Sequence, residues 1–137
     1  MTKQELIDRI NERSGYNKYN GITVVDIGED YCIVEGELRE EALNPWGMAH
    51  GGFVYSLCDV AAGVVVNQDK RKSLTLSGNM HYLHASKGSK LRAEGKIVKD
   101  GRSIAVVETS VYDDEGTLTA SGSFELFIVG PLETTQS

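Results

Sequence analysis

The sequence predicts an α+β domain with a mainly antiparallel sheet of about six strands and one long buried helix, for which a sheet curled around the helix is one arrangement. Three observations predict it. Phe53, Leu57, Val60, Ala61 and Val64 fall on one stripe of a 3.6-residue period. Alternating or β-branched runs surround that helix, two before it and four after. Turn signals separate the runs: Gly28-Glu29-Asp30, Lys87-Gly88-Ser89, Asp100-Gly101 and Asp113 to Gly116.

The elements follow in order. Thr2 is the N-cap of a short helix and Glu5 completes its capping box. Leu6, Ile7 and Ile10 give this helix one apolar face, and the pattern stops at Ser14-Gly15. Ile22 to Ile27 and Tyr31 to Leu38 form a hairpin. Asn44-Pro45-Trp46-Gly47 breaks the chain. The long helix covers Phe53 to Asn67; the positions opposite its stripe (Gly52, Ser56, Ala62, Gly63) are small, and Lys and Arg are absent, so it is buried on most sides. Strands are expected over Leu74 to His84, Leu91 to Lys99, Arg102 to Tyr112 and Leu118 to Val129, joined as a meander. In the first of them, Leu74, Leu76, Met80, Tyr82 and His84 share one face. The tail after Pro131 is expected to fray.

At 137 residues the chain reads as one domain, with 40% hydrophobic and 25% charged residues, an ordinary globular composition. Fourteen Lys+Arg against 20 Asp+Glu gives a net charge of −6, which argues against a nucleic-acid partner. Cys32 and Cys58 both sit in apolar stretches, as buried free thiols of a reducing compartment do. Met1 to Asp8 holds no apolar signal region, and the longest apolar run, Val60 to Val66, is far short of the roughly 20 residues that span a bilayer. A soluble, cytoplasmic protein with no membrane partner is expected.

Chemistry concentrates at the start of the long helix. Asn44-Pro45-Trp46-Gly47-Met48-Ala49-His50-Gly51-Gly52 leads into it. The first N–H groups of a helix lack intrahelical partners and stand at the positive end of its dipole. Paired glycines let another group approach them, which makes either an oxyanion site or merely a tight turn. Asp59 lies mid-helix among Cys58, Val60 and Ala61, and its neighbours one turn away, Tyr55, Ser56, Ala62 and Gly63, include no cation. It is either a functional carboxylate or one bonded to a polar group on another strand. Nine residues separate His50 from Asp59, which sets them half a turn and roughly 13 Å apart. One helix cannot bring both to the same carbonyl. If they act together, two antiparallel copies must supply them, in an isologous dimer.

Asn44-Pro45-x-Gly47-x-x-His50-Gly51-Gly52, followed by Asp59, is similar to the hotdog-fold acyl-CoA thioesterases of the phenylacetic-acid-degradation type. The resemblance runs from about Gly21 to Val129 and includes the turns at Gly101-Arg102 and Asp113 to Gly116. The other hotdog branch with this layout carries Glu at the acid position, so Asp59 favours the former group. The resemblance implies a sheet wrapped around the helix, a sheet continuous across a homodimer, and a homotetramer made of two such dimers. It implies that Asp59 acts as general base or as nucleophile, that the Gly51 amide polarises the thioester carbonyl, and that His50 and Asn44 orient the thioester and the helix start. Some relatives place Ser or Thr one turn after the acid to hold water; this chain has Gly63 there.

Further substrate contacts are expected from Gly52 and Asn79, and contacts to coenzyme A phosphates from Lys90, Arg92 and Arg102, with Lys70-Arg71-Lys72 as another basic segment. Trp46, Phe53, Tyr55 and Leu83 are candidates to shape the acyl pocket. His81 and His84 are three apart on a strand and point to opposite faces, so no metal site is expected, nor any cofactor beyond the coenzyme A of the substrate. A hotdog hydratase or dehydratase acting on a β-hydroxyacyl thioester and a non-catalytic acyl-CoA binding protein are the alternative functions.

Overall fold

The computed structural model describes residues 1–132. The tail expected to fray lies outside the described residues from 133 onward. The elements are α1 (Lys3–Arg13), α2 (Gly15–Tyr19), β1 (Ile22–Ile27), β2 (Tyr31–Glu37), a short 3-10 turn (Glu40–Ala42), α3 (Gly51–Asn67), β3 (Arg71–Tyr82), β4 (Lys90–Asp100), β5 (Ile104–Tyr112) and β6 (Leu118–Pro131). The strands form one antiparallel sheet in the order β1-β2-β4-β5-β6-β3, packed on α3.

The expected fold class holds, with three corrections. A second short helix, α2, follows α1 because Ser14 caps it by accepting the Asn17 N–H. The last four strands are not one meander: β4-β5-β6 is, but β3 pairs with β6, so the chain crosses from β3 to β4 over the width of the sheet. The third correction concerns the faces of β3. A bulge between Thr75 and Ser77 shifts its register against β6. Leu74, on one side of the bulge, pairs with exposed Phe127, whereas Gly78, on the other, pairs with buried Phe124. One extra residue reverses the alternation, so Leu74 does not share a face with Met80 and Tyr82.

The core lies between α3 and the sheet. Leu57, Cys58, Ala61, Ala62 and Val65 of the helix are fully buried with Cys32, Val34, Leu91, Ala93, Val107 and Phe124 of the strands. Close approach depends on two glycines: a Cβ on Gly95 would stand 3.2 Å from the Ala61 backbone, and one on Gly36 would collide with Leu57 and Phe53. Burial pushes the Cys58 thiol up to about 11 and the Cys32 thiol up to about 12.

The two sheet edges differ. At β1, Asn11 of α1 spans Val24, accepting its N–H at 2.9 Å and donating to its carbonyl at 3.0 Å. Helix α1 is fixed from its other side by Asp69, 7% exposed, which pairs with Arg9 and Arg13, each at 2.9 Å. At the opposite edge β3 is bare: Leu74 is 66% and Leu76 56% exposed.

Candidate active site

The helix start is built by its own loop. The Asn44 side-chain oxygen accepts the N–H groups of Trp46 and Met48, each at 3.0 Å, and the Asn44 N–H donates to the Met48 carbonyl. The loop therefore closes on Asn44. His50 follows as the N-cap of α3, and its Nδ1 accepts the Gly52 N–H at 2.9 Å. The Gly51 N–H finds no acceptor among the described residues. Tyr82, at the end of β3, donates its hydroxyl to the Gly51 carbonyl at 2.9 Å. Asn44, Gly51, Val54, Tyr82, Leu83 and Ser86 are among the residues lining a cleft of about 320 Å³ beside this start. A free amide at the positive end of a 17-residue helix, facing a partly apolar cleft, is suited to hold a developing negative oxygen.

Asp59 lies two turns further along α3, partly exposed. Thr75 of β3 donates its hydroxyl to Asp59 Oδ1 at 2.6 Å. The helix neighbours of Asp59 offer no such donor. Ser56 donates instead to the Gly52 carbonyl at 2.9 Å and is also held by the Tyr16 hydroxyl at 2.7 Å. Asp59 is thus a carboxylate with a polar partner on another strand, standing on the face of α3 that the sheet leaves open. Eight residues separate it from Gly51, about 12 Å along the axis and about 80° around it, so the two are held apart by the rise of the helix.

The structure brings Asn44, His50, Gly51 and Gly52 together, and sets Asp59 apart with Thr75. It does not gather the remaining candidates. Asn79 lies on the outer face of β3, beside His81, Glu108 and Ser123. Lys90 and Arg92 point outward from β4, where Lys90 pairs with Glu35 at 3.4 Å and Arg92 with Glu94 at 3.6 Å. Arg102 is exposed in the β4–β5 turn. Arg71 ties the end of α3 to the sheet, donating to the Val66 carbonyl at 2.8 Å and pairing with Asp100 at 2.7 Å. Trp46 is 77% and Leu83 50% exposed, whereas Phe53 is buried at 8%. Among the described residues no three His, Cys, Asp or Glu side chains are grouped to hold a metal ion, and no helix is long and apolar enough to cross a membrane.

Sequence reasoning missed Thr75 and Tyr82. Thr75 reads as a polar position within an apolar alternation, and only the bulge turns it toward Asp59. Tyr82 reads as one more member of the apolar face, although its hydroxyl needs a partner when it packs against backbone.

A family profile described as Thioesterase superfamily matches residues 47–120, which include the helix start, Asp59 and Thr75. A Streptococcus mutans protein crystallised with acetyl CoA is 30% identical, with 82% of this chain and 91% of that one covered and a TM-score of 0.76. A Streptococcus pneumoniae hypothetical thioesterase protein crystallised with coenzyme A is 27% identical, with 84% and 94% covered and a TM-score of 0.78. The PaaI protein of the Escherichia coli phenylacetic acid degradation operon is 18% identical over 94% of each chain, and its TM-score of 0.86 shows the same fold.

Proposed function

Because this chain belongs to the Thioesterase superfamily and has the hotdog fold, we propose that it hydrolyses acyl-CoA thioesters to free acid and CoA in a site shared by two copies. The observation that carries this reading is the split of the machinery. Asp59 with Thr75, and the free Gly51 amide with its cleft, stand on one helix too far apart to meet at one carbonyl. The bare β3 edge supports the remedy. Thr75 lies toward one end of β3 and Tyr82 at the other. Antiparallel pairing of two β3 edges sets the Asp59 end of one copy beside the Gly51 end of the next. It also covers exposed Leu74 and Leu76.

In that arrangement the thioester oxygen takes the Gly51 N–H of one copy, with Asn44 and His50 holding the helix start. Asp59 of the other copy removes a proton from water as it attacks the thioester carbon, or attacks that carbon itself to form an anhydride that water then opens. In either route the C–S bond breaks with its electron pair going to sulfur, and the CoA thiolate takes up a proton, from protonated Asp59 in the first route and from solvent water in the second. Thr75 supplies the hydroxyl beside the acid that Gly63 lacks. Coenzyme A and acetyl CoA in the two streptococcal relatives support CoA as the carrier.

The test is a panel of acyl- and aryl-CoA esters with free thiol followed in time. Turnover by wild type, with kcat lowered about 10²-fold or more in Asp59→Asn and KM little changed, is expected. Turnover that survives Asp59→Ala refutes the role of Asp59. A fully active monomer on a sizing column refutes the shared site.

A further inference from the structure

We propose that Tyr82 is a positioning residue for His50, acting through a hydrogen-bonded chain across one peptide unit. The role rests on the thioesterase reading above. Tyr82 donates its hydroxyl to the Gly51 carbonyl at 2.9 Å, and the N–H of that same peptide, Gly52 N–H, donates to His50 Nδ1 at 2.9 Å. The two bonds grip opposite sides of the Gly51–Gly52 peptide plane. A donor on the carbonyl side strengthens the N–H side as a donor, so each bond reinforces the other. The ring itself lies against the turn: a Cβ on Gly51 would stand 3.6 Å from Tyr82 Cζ.

The peptide that carries the Gly51 N–H is held through its own carbonyl, since the His50 carbonyl accepts the N–H groups of Phe53 at 3.0 Å and Val54 at 3.1 Å. The Tyr82 bond fixes the peptide that follows, and its consequence concerns the imidazole. With Nδ1 accepting, neutral His50 carries its proton on Nε2, so its exposed edge is a donor and not an acceptor. Tyr82 thus selects the tautomer that suits a residue orienting a thioester oxygen. Burial pushes the Tyr82 phenol above its ordinary value, which keeps the hydroxyl a donor across neutral pH.

Tyr82→Phe retains the ring against Gly51 and removes the hydroxyl alone. The expected result is a melting temperature within a few degrees of wild type, ring ¹⁵N shifts of His50 that move from the Nε2–H form toward a mixture of tautomers, and a kcat lower by about fivefold to tenfold with KM changed less than about twofold. If the effect passes through His50, the losses in Tyr82→Phe and His50→Ala do not multiply in the double variant. A Tyr82→Phe enzyme with wild-type kcat and wild-type His50 shifts overturns this role and leaves the hydrolase reading intact. A wild-type protein that turns over no ester of the panel overturns both.

Discussion

Thr75→Val tests the acid end of the site most sharply. The substitution keeps the β-branched shape, so pairing with Leu126 across β6 survives and only the hydroxyl is lost. The bond removed is short, 2.6 Å, and its acceptor is a carboxylate. A charge-assisted bond of this kind contributes about 1.5–3 kcal/mol. It fixes one oxygen of Asp59 and leaves the other free toward the open face of the helix. Losing that orientation, at 1.36 kcal/mol per decade, lowers kcat/KM by about 10- to 100-fold. Free-thiol release from the best ester of the panel measures it, alongside a thermal melt to show that the fold is intact. Thr75→Ser, which returns the hydroxyl, restores most of the loss. A Thr75→Val protein within twofold of wild type refutes the idea that the strand hydroxyl serves the acid.

Two further predictions concern the fold. Asn11→Ala removes both bonds to the Val24 backbone, worth about 1 kcal/mol each in a partly buried setting, and lowers the melting temperature by about 5–10 °C; calorimetry showing a shift below a degree contradicts the role of α1 at that edge. Cys32 and Cys58, pushed up to about 12 and about 11, stay neutral and shielded, so Ellman's reagent at pH 8 finds no thiol in the native protein and two after denaturation. Because both are raised in the folded state, their contribution to stability is whole below the ordinary thiol value near pH 9. It is lost as pH climbs through 11 to 12, so alkaline unfolding above pH 10 accompanies their ionisation. Rapid native labelling of either thiol at neutral pH is the contrary result.

The central helix was legible in the sequence because its stripe, its lack of Lys and Arg and its glycine start all agree with burial against a sheet. Its first turn is at Gly51 and not Phe53, since the cap is a histidine, a residue outside the usual capping set. The motif residues around Gly51 were legible for the same reason, being close in sequence. What was hidden depends on distant partners. The bulge after Thr75 shows only in the pairing with β6, so alternation put the first part of the strand, Leu74 and Thr75, on the wrong faces and missed the hydroxyl beside Asp59. Strand order was hidden likewise: turn signals fix which strands are joined by hairpins, and β3 joins the sheet beyond β6 without one. The outward direction of Lys90 and Arg92 follows from alternation, but the acids beside them do so only in part: Glu94 stands two residues from Arg92 on β4, whereas Glu35 reaches Lys90 from β2 and depends on the pairing of the two strands.

The Asn11 latch on β1 has a consequence for what the sheet can become. A sheet with two free margins can go on recruiting copies and grow into a fibre. With one margin stapled at Val24 by a side chain and flanked by α1, strand addition is directed to β3. Growth of that kind ends after a single event. A chain deprived of Asn11 would regain the second margin, and with it a route to open-ended polymer.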